Sequence, residues 1–225
     1  KQWFNNIDRY LRQFGNSWNW QVLSQNRNIN YNRLLLQKYK TENWDWDYLT
    51  EFGGFLTEQK KDKSNKKYLA EVIQQFPKIK FEILSNRKDI NIGSNLILST
   101  KDKKWDWLVL SENERAEISN ELILELKDKN WNWQALSKRK NIEFSNETLL
   151  QLAEKDWDWN FLSRNENLEF NTEFIEHTKA KPWNWKAVSR HKSFVPTIEL
   201  LTLTKELELD WKHLSQHSSL NPTKE

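Results

Sequence analysis

The chain has 225 residues, of which 37% are hydrophobic and 30% are charged, and its formal net charge is +3 at pH 7. It contains no Cys, which excludes disulfides and thiolate metal sites within the chain. No run approaches the ~18 apolar residues of a membrane span and no signal-like segment opens the chain, so we expect a cytoplasmic protein without membrane contact.

Residues 1–17 predict an N-terminal capping helix or half repeat. Apolar residues recur there at helical spacing, and Gly15 stands where a helix would end. These apolar residues are Trp3, Ile7, Tyr10, Leu11 and Phe14. Because the chain opens on Lys1 and contains no Met, we expect it to be a fragment or a processed product.

The motif WNWQALS of residues 131–137 recurs along residues 18–225 and predicts a repeat array. Its eight copies begin at residues 18, 44, 79, 105, 131, 157, 183 and 209, so every interval is 26 residues except one of 35. A fixed period of this size is typical of stacked repeats, in which each repeat buries a face against its neighbour. The sequence therefore predicts an all-α solenoid of about eight two-helix repeats.

Each repeat predicts a short first helix, 3₁₀ or α, and a longer second α-helix. Asn132, between the two tryptophans, suits an N-cap, and it places Trp131 and Leu136 at the two positions of a hydrophobic staple. After a polar turn, Ser145 suits the N-cap of the second helix, with Glu147 in the first turn where the helix dipole favours negative charge. We expect the tryptophans to pack in the core rather than to stack on bases or sugars. We expect the Ser that follows each Leu to form helix-end hydrogen bonds.

The pattern W-[DN]-W-x-x-L-S-x-N resembles the tandem tryptophan repeats of many uncharacterised bacterial and giant-virus proteins, and the match covers residues 18–220. The resemblance implies a two-helix solenoid similar to leucine-rich-repeat variants with alternating 3₁₀ and α-helices, and it brings no established activity. Two repeats depart from the pattern, with Ile79, Phe81 and Leu209 where Trp is expected. Such apolar replacements are typical of a core position and would be poorly tolerated by a base-stacking platform.

The 35-residue interval predicts a protruding basic loop around residues 51–78. It contains Gly53-Gly54 and a Lys-rich run at residues 60–67. The simpler interpretation is a tolerated surface insertion. The alternative is a contact loop for a partner, formed by Lys60, Lys61, Lys63, Lys66 and Lys67.

Side chains that commonly carry catalysis or bind metals do not form a recognised motif. His213 and His217 are four residues apart, a spacing that can place two metal ligands on one helical face. However, the segment lacks the glutamate of a zinc protease motif, and no Cys or third His is close in sequence. We find no phosphate-binding glycine loop and no acid/base pair of distinctive spacing. We therefore expect no catalytic residue, no metal and no cofactor. An enzyme with its site at the insertion or at the His pair is kept as a third alternative.

The turns that follow each Leu-Ser predict a positive stripe, because they contain ten basic and four acidic residues. Equivalent turns line up along one edge of a solenoid, about 10 Å apart, so a nucleic-acid backbone or an acidic protein could follow them. Ordinary solvated surface is the other interpretation. The basic residues are Arg27, Arg87, Lys88, Arg115, Lys138, Arg139, Lys140, Arg164, Arg190 and Lys192, and the acidic ones are Asp89, Glu112, Glu114 and Glu166.

These observations predict a non-catalytic binding scaffold. We expect its partner to be another protein or another domain of the same polypeptide. The alternative is a nucleic-acid-binding α-solenoid that uses the basic turns.

Overall fold

A computed structural model describes residues 2–57 and 66–220, and within these ranges the protein is built from helices. The described residues contain sixteen α-helices and no strand, and a parallel β-bridge joins Ile92 to Ala116. The chain divides into two compact units, Lys1–Glu117 and Ile118–Glu225, which we call unit 1 and unit 2. The predicted all-α repeat fold is confirmed in both units.

Unit 1 begins with a helix that precedes the repeats. After it, the first and second helices of successive repeats alternate along the chain. They are α1 (Gln2–Gln13), α2 (Trp20–Ser24), α3 (Arg33–Lys38), α4 (Trp46–Phe52), α5 (Lys66–Gln75), α6 (Phe81–Leu84), α7 (Ser94–Ser99) and α8 (Trp107–Glu112).

Unit 2 continues the same alternation. Its helices are α9 (Asn120–Glu125), α10 (Trp133–Ser137), α11 (Asn146–Gln151), α12 (Trp159–Leu162), α13 (Thr172–Thr178), α14 (Trp185–Val188), α15 (Ile198–Thr204) and α16 (Trp211–Leu214). The even-numbered helices carry the motif and are the first helices of the repeats. The odd-numbered helices from α3 onwards are the second helices. All first helices are α-helical, and 3₁₀ turns occur instead at Gly15–Ser17, Gly54–Leu56 and Ser218–Leu220.

Side-chain caps begin most of these helices, as the sequence predicts. In seven first helices, the Asn or Asp between the two aromatic positions accepts a hydrogen bond of 2.9–3.1 Å from the backbone N–H three residues on. Lys80 occupies this position before α6 and makes no such bond. Ser145 accepts from the N–H of Thr148 at 3.2 Å, and equivalent caps begin α9, α13 and α15. Because each cap satisfies an orphan donor, helices of four to seven residues are stabilised at their N-termini.

The two aromatic positions of the motif have different roles in the core. The indole N–H of the first Trp donates to the carbonyl that ends the preceding second helix, as in Trp157 to Leu152 at 2.8 Å. The ring of the second Trp packs edge-on against the first Trp of the next repeat, with centroids 4.9 Å apart for Trp133 and Trp157. The expected core placement is confirmed for ten tryptophans: Trp20, Trp44, Trp46, Trp105, Trp131, Trp133, Trp157, Trp159, Trp183 and Trp185. It is wrong for Trp211, which is 49% exposed, and Trp18 and Trp107 are half-buried.

The Ser at the end of the motif joins neighbouring repeats within each unit. The buried hydroxyl of Ser163 donates to the carbonyl of Trp159 at 2.8 Å, and its oxygen accepts the backbone N–H of Asn184 at 2.8 Å. The same pair of bonds is made by Ser24 in unit 1 and by Ser137 in unit 2. The expected helix-end role is therefore confirmed, and the second bond adds a link between repeats that the sequence did not predict.

The long repeat differs from the loop that the sequence predicts. Helix α5 serves as the second helix of this repeat, and a 3₁₀ turn at Gly54–Leu56 precedes it. The apolar side chains of both elements are buried, because they recur at helical spacing and pack near Trp46, whose ring lies 5.7 Å from that of Phe76. The buried residues are Phe55, Leu56, Leu69, Val72, Ile73 and Phe76.

Helix α1 packs against the first repeat through a buried carboxylate. Asp8 is 4% exposed, pairs with Arg12 at 2.8 Å and Lys38 at 2.5 Å, and accepts the hydroxyl of Tyr39 at 2.9 Å. Burial alone would raise the pKa of Asp8, but the bonds from Lys38 and Tyr39 hold that pKa below its usual value. The helix before the first motif is thus joined to α3 by a specific polar contact.

Candidate interaction surfaces

The basic turn residues divide into buried and exposed sets according to their position after the motif Ser. In the first and second repeats the second residue after the motif Ser or Thr is exposed, as Asn26 and Phe52 show. In other turns this residue points inwards, and two arginines occupy that position. Arg87 is 8% exposed, donates to the carbonyl of Thr50 at 2.6 Å, and forms a forked ion pair with Asp89 in which both N–O distances are 2.7 Å. Arg139 is 5% exposed and donates to the side-chain oxygen of Asn141 at 3.0 Å. Their guanidinium groups therefore do not belong to an exposed stripe.

Other residues at this second position also bond to the preceding repeat. The side-chain amide of Asn113 donates to the carbonyls of Ser85 at 2.8 Å and Arg87 at 3.0 Å. The Nε2 of His191 lies 3.1 Å from the carbonyl of Asn165, which assigns the ring proton to Nε2 because a carbonyl only accepts. Burial lowers the pKa of His191, so the neutral ring is favoured. A column of polar side chains therefore joins successive turns inside each unit.

A sequence pattern indicates this column of inward polar side chains, although a count of basic and acidic turn residues does not reveal it. The residue two places further on completes a pair with the inward residue, as in Arg87 with Asp89 and Arg139 with Asn141. Polar pairs at this spacing recur in turn after turn, which is typical of side chains that satisfy a turn's own polar groups. Each pair therefore indicates a structural role for its first member.

The first and third residues after the Ser point outwards, and here the two units differ. In unit 1, the exposed cations Arg27 and Lys88 at the third position and Arg115 at the fourth alternate with exposed carboxylates. In unit 2 the exposed residues are mostly basic, with Glu166 as the acidic exception. We call the unit 2 set the basic edge, and it consists of Lys138, Lys140, Arg164, Arg190 and Lys192.

Two members of the basic edge are compensated by acidic N-caps of the next repeat. Lys138 lies 3.5 Å from Asp158, and the Nε of Arg190 donates to Asp210 at 2.6 Å. Hydrogen bonds from the N–H of His213 and from Arg190 lower the pKa of Asp210.

The other three cations of the basic edge have no carboxylate partner. Lys140, Arg164 and Lys192 form no ion pair within the described part of the chain, and one of them occurs in each of three successive turns. Side chains of adjacent repeats line two open grooves at this edge, with volumes of about 460 and 690 Å³, and Arg164 lines both of them. The turns are therefore adjacent in space, and uncompensated positive charge is available in each.

A second exposed surface lies on the first helices of unit 1. Its side chains are apolar. Val22 and Tyr48 occupy the third position of their helices, whereas Leu108 occupies the second position and Phe52 the seventh. Val22 is 65% exposed, Phe52 is 57% exposed and contacts the half-buried Tyr48 with ring centroids 4.8 Å apart, and Leu108 is 45% exposed. We call Val22, Tyr48, Phe52 and Leu108 the apolar face.

The Lys-rich connections that precede each motif are used in part for packing. The ammonium of Lys155 lies 5.4 Å from the centre of the Trp133 ring, and that of Lys181 lies 6.0 Å from the Trp159 ring. Lys181 also bonds to Glu154 at 2.9 Å. These ammonium groups lie over the faces of core rings, so these two lysines contribute to packing.

Some of the remaining candidate residues lie outside the described part of the chain. Lys60, Lys61 and Lys63 lie outside the described residues, Lys66 opens α5, and Lys67 is exposed and 4.0 Å from Glu71. His213 is exposed, and the Nδ1 of His217 lies 2.8 Å from the hydroxyl of Ser219.

Nowhere in residues 2–57 and 66–220 do three His, Asp or Glu side chains come together in a way that could hold a metal ion. Among the same residues, no helix has the length and apolarity needed to span a membrane. Comparison with protein-family models, curated protein sequences and solved structures finds no match to this chain.

Proposed function

We propose that the chain is a non-catalytic helical repeat scaffold that binds another protein or another domain of its own polypeptide. The observation that carries this proposal is the apolar face of unit 1. Val22, Phe52 and Leu108 are exposed on the first helices of three repeats of unit 1, and the ring of Phe52 contacts that of Tyr48. Several large apolar side chains exposed on one set of helices are typical of protein interaction sites.

The internal roles of the motif residues support the same function. The Asn or Asp caps a helix, the Ser joins two repeats, and both aromatic positions fill the core. These residues stabilise the stack, and the outward positions are left free to vary from repeat to repeat. Binding specificity on a constant framework is the usual arrangement in repeat proteins.

A peptide selection tests this proposal while the partner is unidentified. A random peptide library is selected against the wild-type chain, and the affinity of each selected peptide is measured by fluorescence anisotropy. For the Val22→Ser/Phe52→Ser/Leu108→Ser variant, we expect an affinity loss of roughly tenfold or more, because interface aromatic and aliphatic anchors dominate affinity.

The matched control is Leu34→Ser, which removes a 72% exposed apolar side chain from a second helix of the same unit. This variant should retain wild-type affinity. Failure to select any peptide, or equal affinity for the wild type and the triple variant, would contradict the proposal.

Nucleic-acid binding is the second candidate, and the basic edge of unit 2 favours it. Phosphate contacts release counterions, so such binding should weaken steeply as salt rises. Labelled single- and double-stranded RNA and DNA, titrated at low and near-physiological salt, measure this effect. Arg139 stays unchanged in any variant for this test, because its buried guanidinium contributes to the turn structure.

A further inference from the structure

We propose that the basic edge of unit 2 binds an extended acidic peptide segment whose carboxylates are about three residues apart. This inference rests on the proposed function, since it specifies the chemistry of a protein partner. It concerns a surface different from the apolar face, so each can be tested without the other.

Cations without a carboxylate partner make the basic edge positively charged. Lys140, Arg164 and Lys192 are exposed and form no ion pair in the described ranges, whereas Lys138 and Arg190 already contact Asp158 and Asp210. A partner carboxylate therefore gains most from the three uncompensated cations. Because these side chains are already solvated at an exposed surface, each contact contributes modestly, and the affinity depends on engaging all three together.

The repeat geometry sets the spacing of the partner's charges. Lys140 and Lys192 occupy the same turn position two repeats apart, Arg164 lies in the turn between them, and packed helix layers lie about 10 Å apart. An extended chain advances roughly 3.3 Å per residue, so one repeat corresponds to about three residues of peptide. A segment with an acidic residue at every third position thus places one carboxylate near each uncompensated cation.

Carboxylates on the same edge favour a peptide over a nucleic acid. Asp158 and Asp210 lie beside Lys138 and Arg190, and Glu166 lines both grooves together with Arg164. A nucleic-acid backbone carries a charge on every nucleotide, so some phosphates would face these carboxylates. A peptide can place neutral residues opposite them.

A single exposed aromatic side chain also favours a peptide over a single-stranded nucleic acid. Phe161 is 41% exposed and lines the groove that also contains Lys138, Lys140 and Arg164. Ala135 and Ala187 occupy the equivalent positions of the adjacent repeats. Single-stranded nucleic acids need successive aromatic platforms, whereas one exposed ring suits one apolar residue of a peptide.

The experiment uses a labelled twelve-residue peptide with Glu at every third position, one Leu, and Ser or Gly elsewhere. Its binding to the full chain is followed by fluorescence anisotropy at low and near-physiological salt. A peptide of the same composition with its Glu residues contiguous tests the spacing, and a version with Gln for Glu tests the charge. A labelled thymidine 20-mer tests a polyanion.

We expect the spaced peptide to bind about tenfold more tightly than the Gln version, and salt to weaken its binding. Lys140→Glu/Arg164→Glu/Lys192→Glu should reduce the affinity at least tenfold. The matched control, Lys127→Glu/Lys179→Glu/Lys205→Glu, makes the same charge change on connections that follow second helices, and it should stay within twofold of wild type. The Lys140→Gln/Arg164→Gln/Lys192→Gln variant repeats the test with a milder change, and thermal unfolding followed by circular dichroism checks that each variant is folded.

Three results would overturn the inference: no binding of the spaced peptide, an equal loss in the control variant, or tighter binding of the 20-mer that the edge variants abolish. The last result would support the nucleic-acid candidate. If the spaced peptide does not bind while library peptides still bind through the apolar face, the inference fails and the proposed function stands. If both kinds of binding are absent, both proposals fail.

Discussion

Unit 1 and unit 2 share one repeat framework but differ in the side chains that they expose. In unit 1 the third position of the first helices is apolar, and its turn cations alternate with carboxylates. In unit 2 the same helical position carries small residues on either side of Phe161, and its turns are mostly basic. Inward positions are similar in the two units because packing constrains them, so the units differ mainly in their outward side chains.

Removing a core Trp should have the largest effect and should be equal in the two units. Trp44 and Trp157 each donate an indole hydrogen bond of 2.8 Å and contact the second aromatic residue of the preceding repeat. We expect Trp44→Ala and Trp157→Ala each to lower the free energy of unfolding by about 3–5 kcal/mol. Urea denaturation followed by circular dichroism measures this change.

The control for this prediction is Trp211→Ala, because the Trp211 side chain is 49% exposed. Its effect should stay below about 1 kcal/mol. A large loss in one unit and a small one in the other would show that the shared framework does not stabilise both units in the same way.

Removing a motif hydroxyl should have an intermediate effect that depends on the link to the next repeat. Ser163→Ala removes two hydrogen bonds at a fully buried site and leaves the N–H of Asn184 without its partner. We expect a cost of about 1–3 kcal/mol. Ser215 bonds to Trp211 at an exposed site, so Ser215→Ala should cost less than about 0.5 kcal/mol. Equal denaturation midpoints for the two variants would argue against a stabilising link between repeats.

The smallest effect should be a pH dependence that is specific to unit 2. Burial lowers the pKa of His191, and the Lys192 charge lowers it further, while a bond to the Asn165 carbonyl and the charge of Glu166 oppose this change. The same groove is also lined by Arg164, Lys186 and Arg190. Their positive charges disfavour protonation of the His191 ring. The neutral ring is therefore favoured in the folded state, and its contribution to stability is present above the unfolded pKa near 6.5 and is lost as pH falls through the folded pKa.

Urea denaturation at pH 7.5 and pH 5.5 measures this contribution. His191→Asn retains a side-chain amide that can donate to the Asn165 carbonyl, as Asn113 does in unit 1, and it removes the titrating ring. We expect a smaller drop in the denaturation midpoint for this variant than for wild type. An unchanged drop would assign the pH dependence to other groups.

The sequence by itself determined the repeat period, the helix caps and the buried tryptophans. These features depend on spacing within one repeat: an Asn or Asp directly before a helix meets the backbone N–H three residues on, and apolar residues at helical intervals share a face. Such local relations are visible in a segment such as Lys129 to Ser137 before any packing is known.

Tertiary structure decided which turn residues face solvent and which elements complete the core. Arg139 lies between Lys138 and Lys140 in sequence, yet only the two lysines are exposed, because the intervening side chain turns inwards to Asn141. Likewise, α5 replaces part of an expected loop because its apolar side chains are buried with Trp46 and Phe76. The direction of a turn side chain depends on contacts with other parts of the fold, and a sequence window of one repeat does not contain those contacts.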